Sequence, residues 1–126
     1  MVIVSRVLGK TGEKNLWDKT ENALVQGNIS SSTGEEQTGT TRLRTNGYIA
    51  VKPNTTYRIN ATGAATQCFI FEYADGYEYK SHYSGWQSLG VEYTTNTVTK
   101  YIRILFAKAS GTITPDEVQS VSVVEV

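Results

Sequence analysis

KYIRILFAK, residues 100–108, is the stretch on which the fold class turns. In an extended chain Ile102, Ile104 and Phe106 fall on one face and Tyr101, Arg103 and Leu105 on the other, because strand side chains alternate with a period of two. Its β-branched and aromatic residues suit a pleated, packed surface. The reading predicts a strand with Ile102, Ile104 and Phe106 buried.

Working outward, the same grammar recurs at intervals of about ten residues, as short alternating or apolar runs closed by Gly, Asn, Asp or Pro. Downstream, Ser110-Gly111 turns the chain and EVQSVSVVEV closes it. Between them ITPDEV suits a single helical turn, with Thr114 as cap and Pro115 at the first position. Upstream lie VEYTTNTV, a loop carrying Gly85, Trp86 and Gly90, and YEYKSHY, which follows TQCFIFEYA through an Ala74-Asp75-Gly76 turn. Before these come TTYRINAT and TRLRTNGYIAV, separated by Pro53-Asn54, then the weaker NALVQGNI, NLWDKT and MVIVSRVL. SSSTGEEQTGT, residues 30–40, has no apolar residue and is expected to be a long exposed loop.

About eight strands and no competing helical pattern predict an all-β fold, an antiparallel β-sandwich of the jelly-roll kind. The 126 residues, 39% hydrophobic and 19% charged, fit one domain spanning 1–126, with residues 1–12 as an extra edge strand or an oligomer contact. The single cysteine, Cys68, excludes an internal disulfide framework and reads as a small apolar residue pointing into the sandwich. Apolar runs such as Met1 to Val4 fall far short of the roughly 20 residues that span a bilayer, so no membrane insertion is expected. MVIVSRVLGK does not read as a signal peptide. Lys+Arg 12 against Asp+Glu 12 gives no net charge, without the cationic field that a nucleic-acid partner requires.

The residues carry little chemistry of their own. Nucleophilic catalysis needs a hydroxyl or thiol held against a base, and the one histidine, His82, stands beside no nucleophile elbow or Cys-His signature. Glu72, Asp75, Glu78 and Glu92 read as solvated strand-edge and turn carboxylates rather than a glycosidase pair. The glycines are scattered singly, so no nucleotide cofactor is implied. Asp18, Asp116 and Glu117 offer oxygens to calcium, but no loop presents ligands at alternate positions; neither cofactor nor metal is expected.

What stands out is aromatic density: Tyr73, Tyr77, Tyr79, Tyr83 and Trp86 fall close together, with Lys80 and His82 between them. A sugar presents an apolar C–H face ringed by hydroxyls, so its site wants flat rings beneath and amides, carboxylates or guanidinium groups at the rim. The candidate set is Trp86, Tyr83 and Tyr79 for stacking and His82, Arg44 and Glu78 for hydrogen bonding. The competing role for Trp86 is to plug one end of the core, and Trp17 reads as packing at a strand end. Arg42, Arg44, Arg58 and Arg103 lie in β segments, where pairing with carboxylates is the structural expectation.

The ordered set NLWDKT, TRLRTNGYIAVKPNTTYRINAT, FIFEYADGYEY, SGW, YTTNTVTKYIRILFAK and ITPDEV, across residues 14–126, resembles a known group. These are the carbohydrate-binding-module-like jelly rolls of tail and baseplate proteins from phages of Gram-positive bacteria; the set also resembles sandwich modules of secreted glycan-degrading enzymes. The resemblance implies a non-catalytic adhesion module for a cell-wall or capsule glycan, in a virion or outside the cell, within an oligomeric tail device. It further implies that aromatics on the sheet and its loops, here Trp86, Tyr83 and Tyr79, meet the sugar. The alternative is a structural domain of a phage tail that packs against sister chains or other tail proteins and binds no sugar.

Overall fold

A computed structural model describes residues 14–126, so the expectation for residues 1–12 lies outside the described residues. Eleven strands follow in order: β1 (Leu24–Gln26), β2 (Asn28–Ile29), β3 (Glu36–Gln37), β4 (Leu43–Thr45), β5 (Ile49–Ala50), β6 (Thr56–Ala61), β7 (Gln67–Ala74), β8 (Glu78–Ser88), β9 (Val91–Thr94), β10 (Tyr101–Ala107) and β11 (Val121–Glu125). The count among the described residues exceeds eight because glycines divide two of the expected runs and because β3 forms in a stretch expected to be a loop. Gly27 separates β1 from β2, and the Asn46-Gly47 bend, with Gly47 at φ 69°, separates β4 from β5.

All pairings are antiparallel, and the chain is an all-β antiparallel sandwich. The larger sheet has the order β1-β4-β10-β7-β8, with β5 also on β10; the smaller has the order β9-β6-β11. Between them lies one core: Leu43, Ile49, Cys68, Ile70, Ile102, Ile104 and Phe106 from the larger sheet meet Tyr57, Ile59, Tyr93, Val121 and Val123 from the smaller. Ile102, Ile104 and Phe106 are buried as their alternation predicts. Burial pushes the Cys68 thiol up to about 12, the state of an inert core thiol.

Local chemistry settles the ends. The Thr114 N–H donates to the Glu117 carboxylate at 2.8 Å across the 3-10 turn Pro115–Glu117, so this turn forms where ITPDEV places it. Trp17 packs against the core, and its indole N–H donates to the Asn22 carbonyl at 2.8 Å. Asp18 accepts from the N–H groups of Thr20 and Glu21, and Glu117 is paired with Lys108. Among the described residues no cluster of three His, Cys, Asp or Glu could hold a metal ion, and no helix is long and apolar enough to cross a membrane.

The larger sheet differs from the simplest reading of its strands in having two buried faces. Leu105 and Arg103, on the second face of β10, are buried as fully as its core residues. What covers them is a small third layer, the β2–β3 hairpin, folded from much of the stretch expected to be an exposed loop. Residues 31–33 and 35–40 are indeed exposed, but Gly34 is buried and Glu36–Gln37 pairs as a strand. The polarity of residues 30–40 conceals this because the hairpin docks through Ile29, just before them, through backbone atoms and through the Glu36 carboxylate.

Candidate functional site

β7 runs QCFIFEYA, apolar on both faces. Cys68 and Ile70 enter the main core, while Phe71 and Tyr73, with Phe69 partly buried beside them, form a second cluster on the outer face with Ile29 and Leu105. Burying Phe71 alone is worth about 2–3 kcal/mol. The Tyr73 hydroxyl donates to the Gly34 carbonyl at 2.8 Å and the Tyr79 hydroxyl to the Ser31 carbonyl at 2.7 Å, so two phenols hold the hairpin turn down. Burial raises both phenols above their usual range and keeps them donors. Gly34, at φ 71°, lies against the Tyr79 ring so closely that a Cβ would overlap it.

Two irregularities in the β7–β8 ladder decide which β8 residues share this outer face. Tyr79 pairs with Tyr73, but Ser81 pairs with Glu72, so Lys80 is an extra residue and the alternation inverts there. His82 then lies opposite Phe71 on the outer side, its ring 4.9 Å from that of Phe69, whereas Tyr83 lies opposite Ile70 and packs on Tyr93 at 5.0 Å in the main core. The second shift lies between Cys68 and Ile70, where Ser84 at φ 30° and Gly85 at φ 76° bulge the strand. Trp86 thereby comes edge-on to Phe69, with centroids 5.4 Å apart.

Between Trp86 and the hairpin opens a cleft of about 300 Å³. Its floor is Phe69, Phe71, Leu105 and Trp86; its rim is Asn28, Ser30, Ser31, Gln37 and Arg42. The Arg42 guanidinium lies over the indole, 5.2 Å from its centroid, and donates to the Asn28 carboxamide oxygen at 2.7 Å. Flat rings and fixed donors are thus brought to one concavity, where a ligand with an apolar face and a polar perimeter can be held.

The expected residues distribute unevenly around it. Trp86 lines the cleft, and Tyr79 and His82 occupy the same outer face beside it. Tyr83 does not join them, because the Lys80 bulge turns it inward. Glu78 stands exposed at the start of β8, 3.8 Å from Lys80. Arg44 is taken by Glu36 at 3.1 Å, and Arg103, only 3% exposed, donates to the same carboxylate at 2.7 Å and to the Thr45 carbonyl at 2.8 Å. The hydrogen bond from Arg103 holds the Glu36 carboxyl below its ordinary value. Arg58 pairs with Glu92, the structural role expected of strand arginines.

Arg42, Phe69, Phe71 and the hairpin amides were not among the candidate residues. Phe69 and Phe71 announce themselves only as the second apolar parity of β7, and the hairpin residues carry no local signal at all.

Glu72 corrects the expectation of a solvated carboxylate: it is 5% exposed, at one end of the core. Ser81 donates to it at 2.9 Å, Asn96 at 3.2 Å and Thr99 at 3.3 Å, and the Tyr93 hydroxyl, from the opposite sheet, completes the set. Burial, then this bond to Glu72, raises the Tyr93 hydroxyl far above its usual range. The carboxylate is a polar tie between sheets; the Thr99 hydroxyl lies closer to the Asn96 carboxamide oxygen, at 2.9 Å, and links the two acceptors.

At the edge of the outer face Tyr77 is 52% exposed and stacks on Tyr48 at 4.3 Å, with Tyr101 4.6 Å away. A second concavity, of about 520 Å³, is lined by Lys14, Leu16, Ala50, Val51, Lys52, Tyr57 and Glu125. Its charged groups Lys52 and Glu125 are already paired at 2.8 Å. No family model, curated protein or solved structure matches this chain.

Proposed function

We propose that the protein is a non-catalytic carbohydrate-binding module that attaches its parent assembly to a surface polysaccharide. The observation that carries this reading is the cleft itself, with the partly buried rings of Phe69 and Trp86 on its floor and the polar groups of Asn28, Ser30, Gln37 and Arg42 around it. Rings of this kind take the C–H face of a pyranose, and amides with a guanidinium take its hydroxyls. One small open site binds weakly, so repetition of the module in an oligomeric tail or secreted assembly would supply avidity. The test is a titration of intrinsic tryptophan fluorescence with soluble cell-wall and capsule fragments. A saturable change, absent in Trp86→Ala, is expected; no change with any fragment, in protein shown to be folded, would end this reading.

The assembly alternative draws on the Tyr48–Tyr77–Tyr101 ledge, which leaves Tyr77 half exposed at φ 62°, a costly conformation for a residue with a Cβ. Sedimentation decides it: an oligomer that dissociates on Tyr77→Ser would favour assembly through this ledge.

A further inference from the structure

We infer that the cleft selects an acidic saccharide, one whose carboxylate takes the open edge of the Arg42 guanidinium while its ring lies on Trp86. The inference rests on the glycan reading and narrows its ligand class. Among the described residues Arg42 is the only ionisable one lining the cleft, and no Asp or Glu lines it. Among the described residues no carboxylate lies within 4 Å of Arg42; its one hydrogen bond, to Asn28, uses Nη1 and leaves the rest of the fork without a protein acceptor. The other two arginines on this side of the sheet behave differently. Arg44 and Arg103 converge on Glu36, so one carboxylate answers two guanidinium groups and none is left for Arg42.

A guanidinium over an indole, 5.2 Å from its centroid, and tethered by one hydrogen bond to Asn28 is restrained in position, the condition under which a planar bidentate partner is favoured over water. Asn28 restrains it by accepting one N–H, and the Trp86 ring lies beneath it. A neutral hydroxyl offers such a fork a single uncharged acceptor atom. A carboxylate matches two parallel N–H groups, which makes Arg42 a selector of charge as well as a rim contact.

The test compares an oligoglucuronate with its carboxyl-reduced neutral counterpart, by calorimetry on the full chain at low and at physiological salt. The acidic oligomer is expected to bind at least about tenfold more tightly, with the difference shrinking as salt rises. The difference should disappear in Arg42→Gln and fall partway in Arg42→Lys, which keeps the charge and loses the fork; circular dichroism confirms that both variants are folded. Equal affinity for the two oligomers would overturn the charge selection and leave the glycan reading standing. An acid preference that survives in Arg42→Gln would overturn the assignment to this residue. Tighter binding of a glycerol-phosphate polymer than of the uronate would overturn the carboxylate assignment, and failure of every saccharide, neutral or acidic, would remove the glycan reading beneath it.

Discussion

Tyr79 and Tyr83 lie four positions apart on one strand and face opposite sides of the sheet, because Lys80 is an extra residue in the ladder. One ring holds the hairpin turn and the other packs on Tyr93 inside the sandwich. Their substitutions should separate accordingly. Tyr83→Ala is expected to cost about 2–3 kcal/mol in urea unfolding, with glycan affinity unchanged in the folded fraction. A loss of affinity at unchanged stability would place Tyr83 in the site after all.

Gly34 controls the cleft through shape. A methyl group there meets the Tyr79 ring and a left-handed backbone at once, so Gly34→Ala should cost about 1–3 kcal/mol locally. The expected outcome is faster amide exchange confined to residues 28–37, with β7 and β10 as protected as before. Unaltered exchange in the hairpin would mean that Tyr79 moves aside freely.

Acid should loosen the same element. The Glu36 carboxyl, held below its ordinary 4.5 chiefly by the Arg103 hydrogen bond, contributes fully above that value and loses its contribution as pH falls through its lower folded-state value. Exchange in the hairpin should therefore accelerate below pH 4.5, ahead of global unfolding, and Glu36→Gln should abolish this step. A hairpin whose protection stays flat across that range would assign its docking to Ile29 and the two phenols alone.

Glu72 predicts a larger effect from a single atom group. Glu72→Ala leaves the Tyr93, Thr99, Ser81 and Asn96 donors facing a cavity, and a loss of about 3 kcal/mol is expected in chemical denaturation. Glu72→Gln keeps an acceptor and should lose less. A loss below about 1 kcal/mol for the alanine variant would indicate that water replaces the carboxylate without penalty.

The all-β class was legible in the alternation of KYIRILFAK and the regular turn residues, since both are short-range signals of strand geometry. The third layer was not, because Ile29 and Gly34 act through a docking surface assembled from β7 and β10, distant in the chain. The same limit divided the candidate site. Trp86 stood out as a ring expected in a glycine-flanked loop, which is instead a bulged part of β8, but the face on which Tyr83 emerges depends on a register shift that no residue type near Lys80 declares. Arg42 and Arg44 look alike in sequence; only the placement of Glu36 sends one into an ion pair and leaves the other over the indole.

The central sheet is buried on both faces, by the opposite sheet and by the hairpin, and the cleft floor belongs to it. Phe69 and Phe71 are therefore set in place by folding itself, on a strand paired along both edges. A ligand settling in the cleft above them asks for almost no rearrangement, so association should be fast and nearly independent of solvent viscosity beyond diffusion, with selectivity expressed mainly in the dissociation rate.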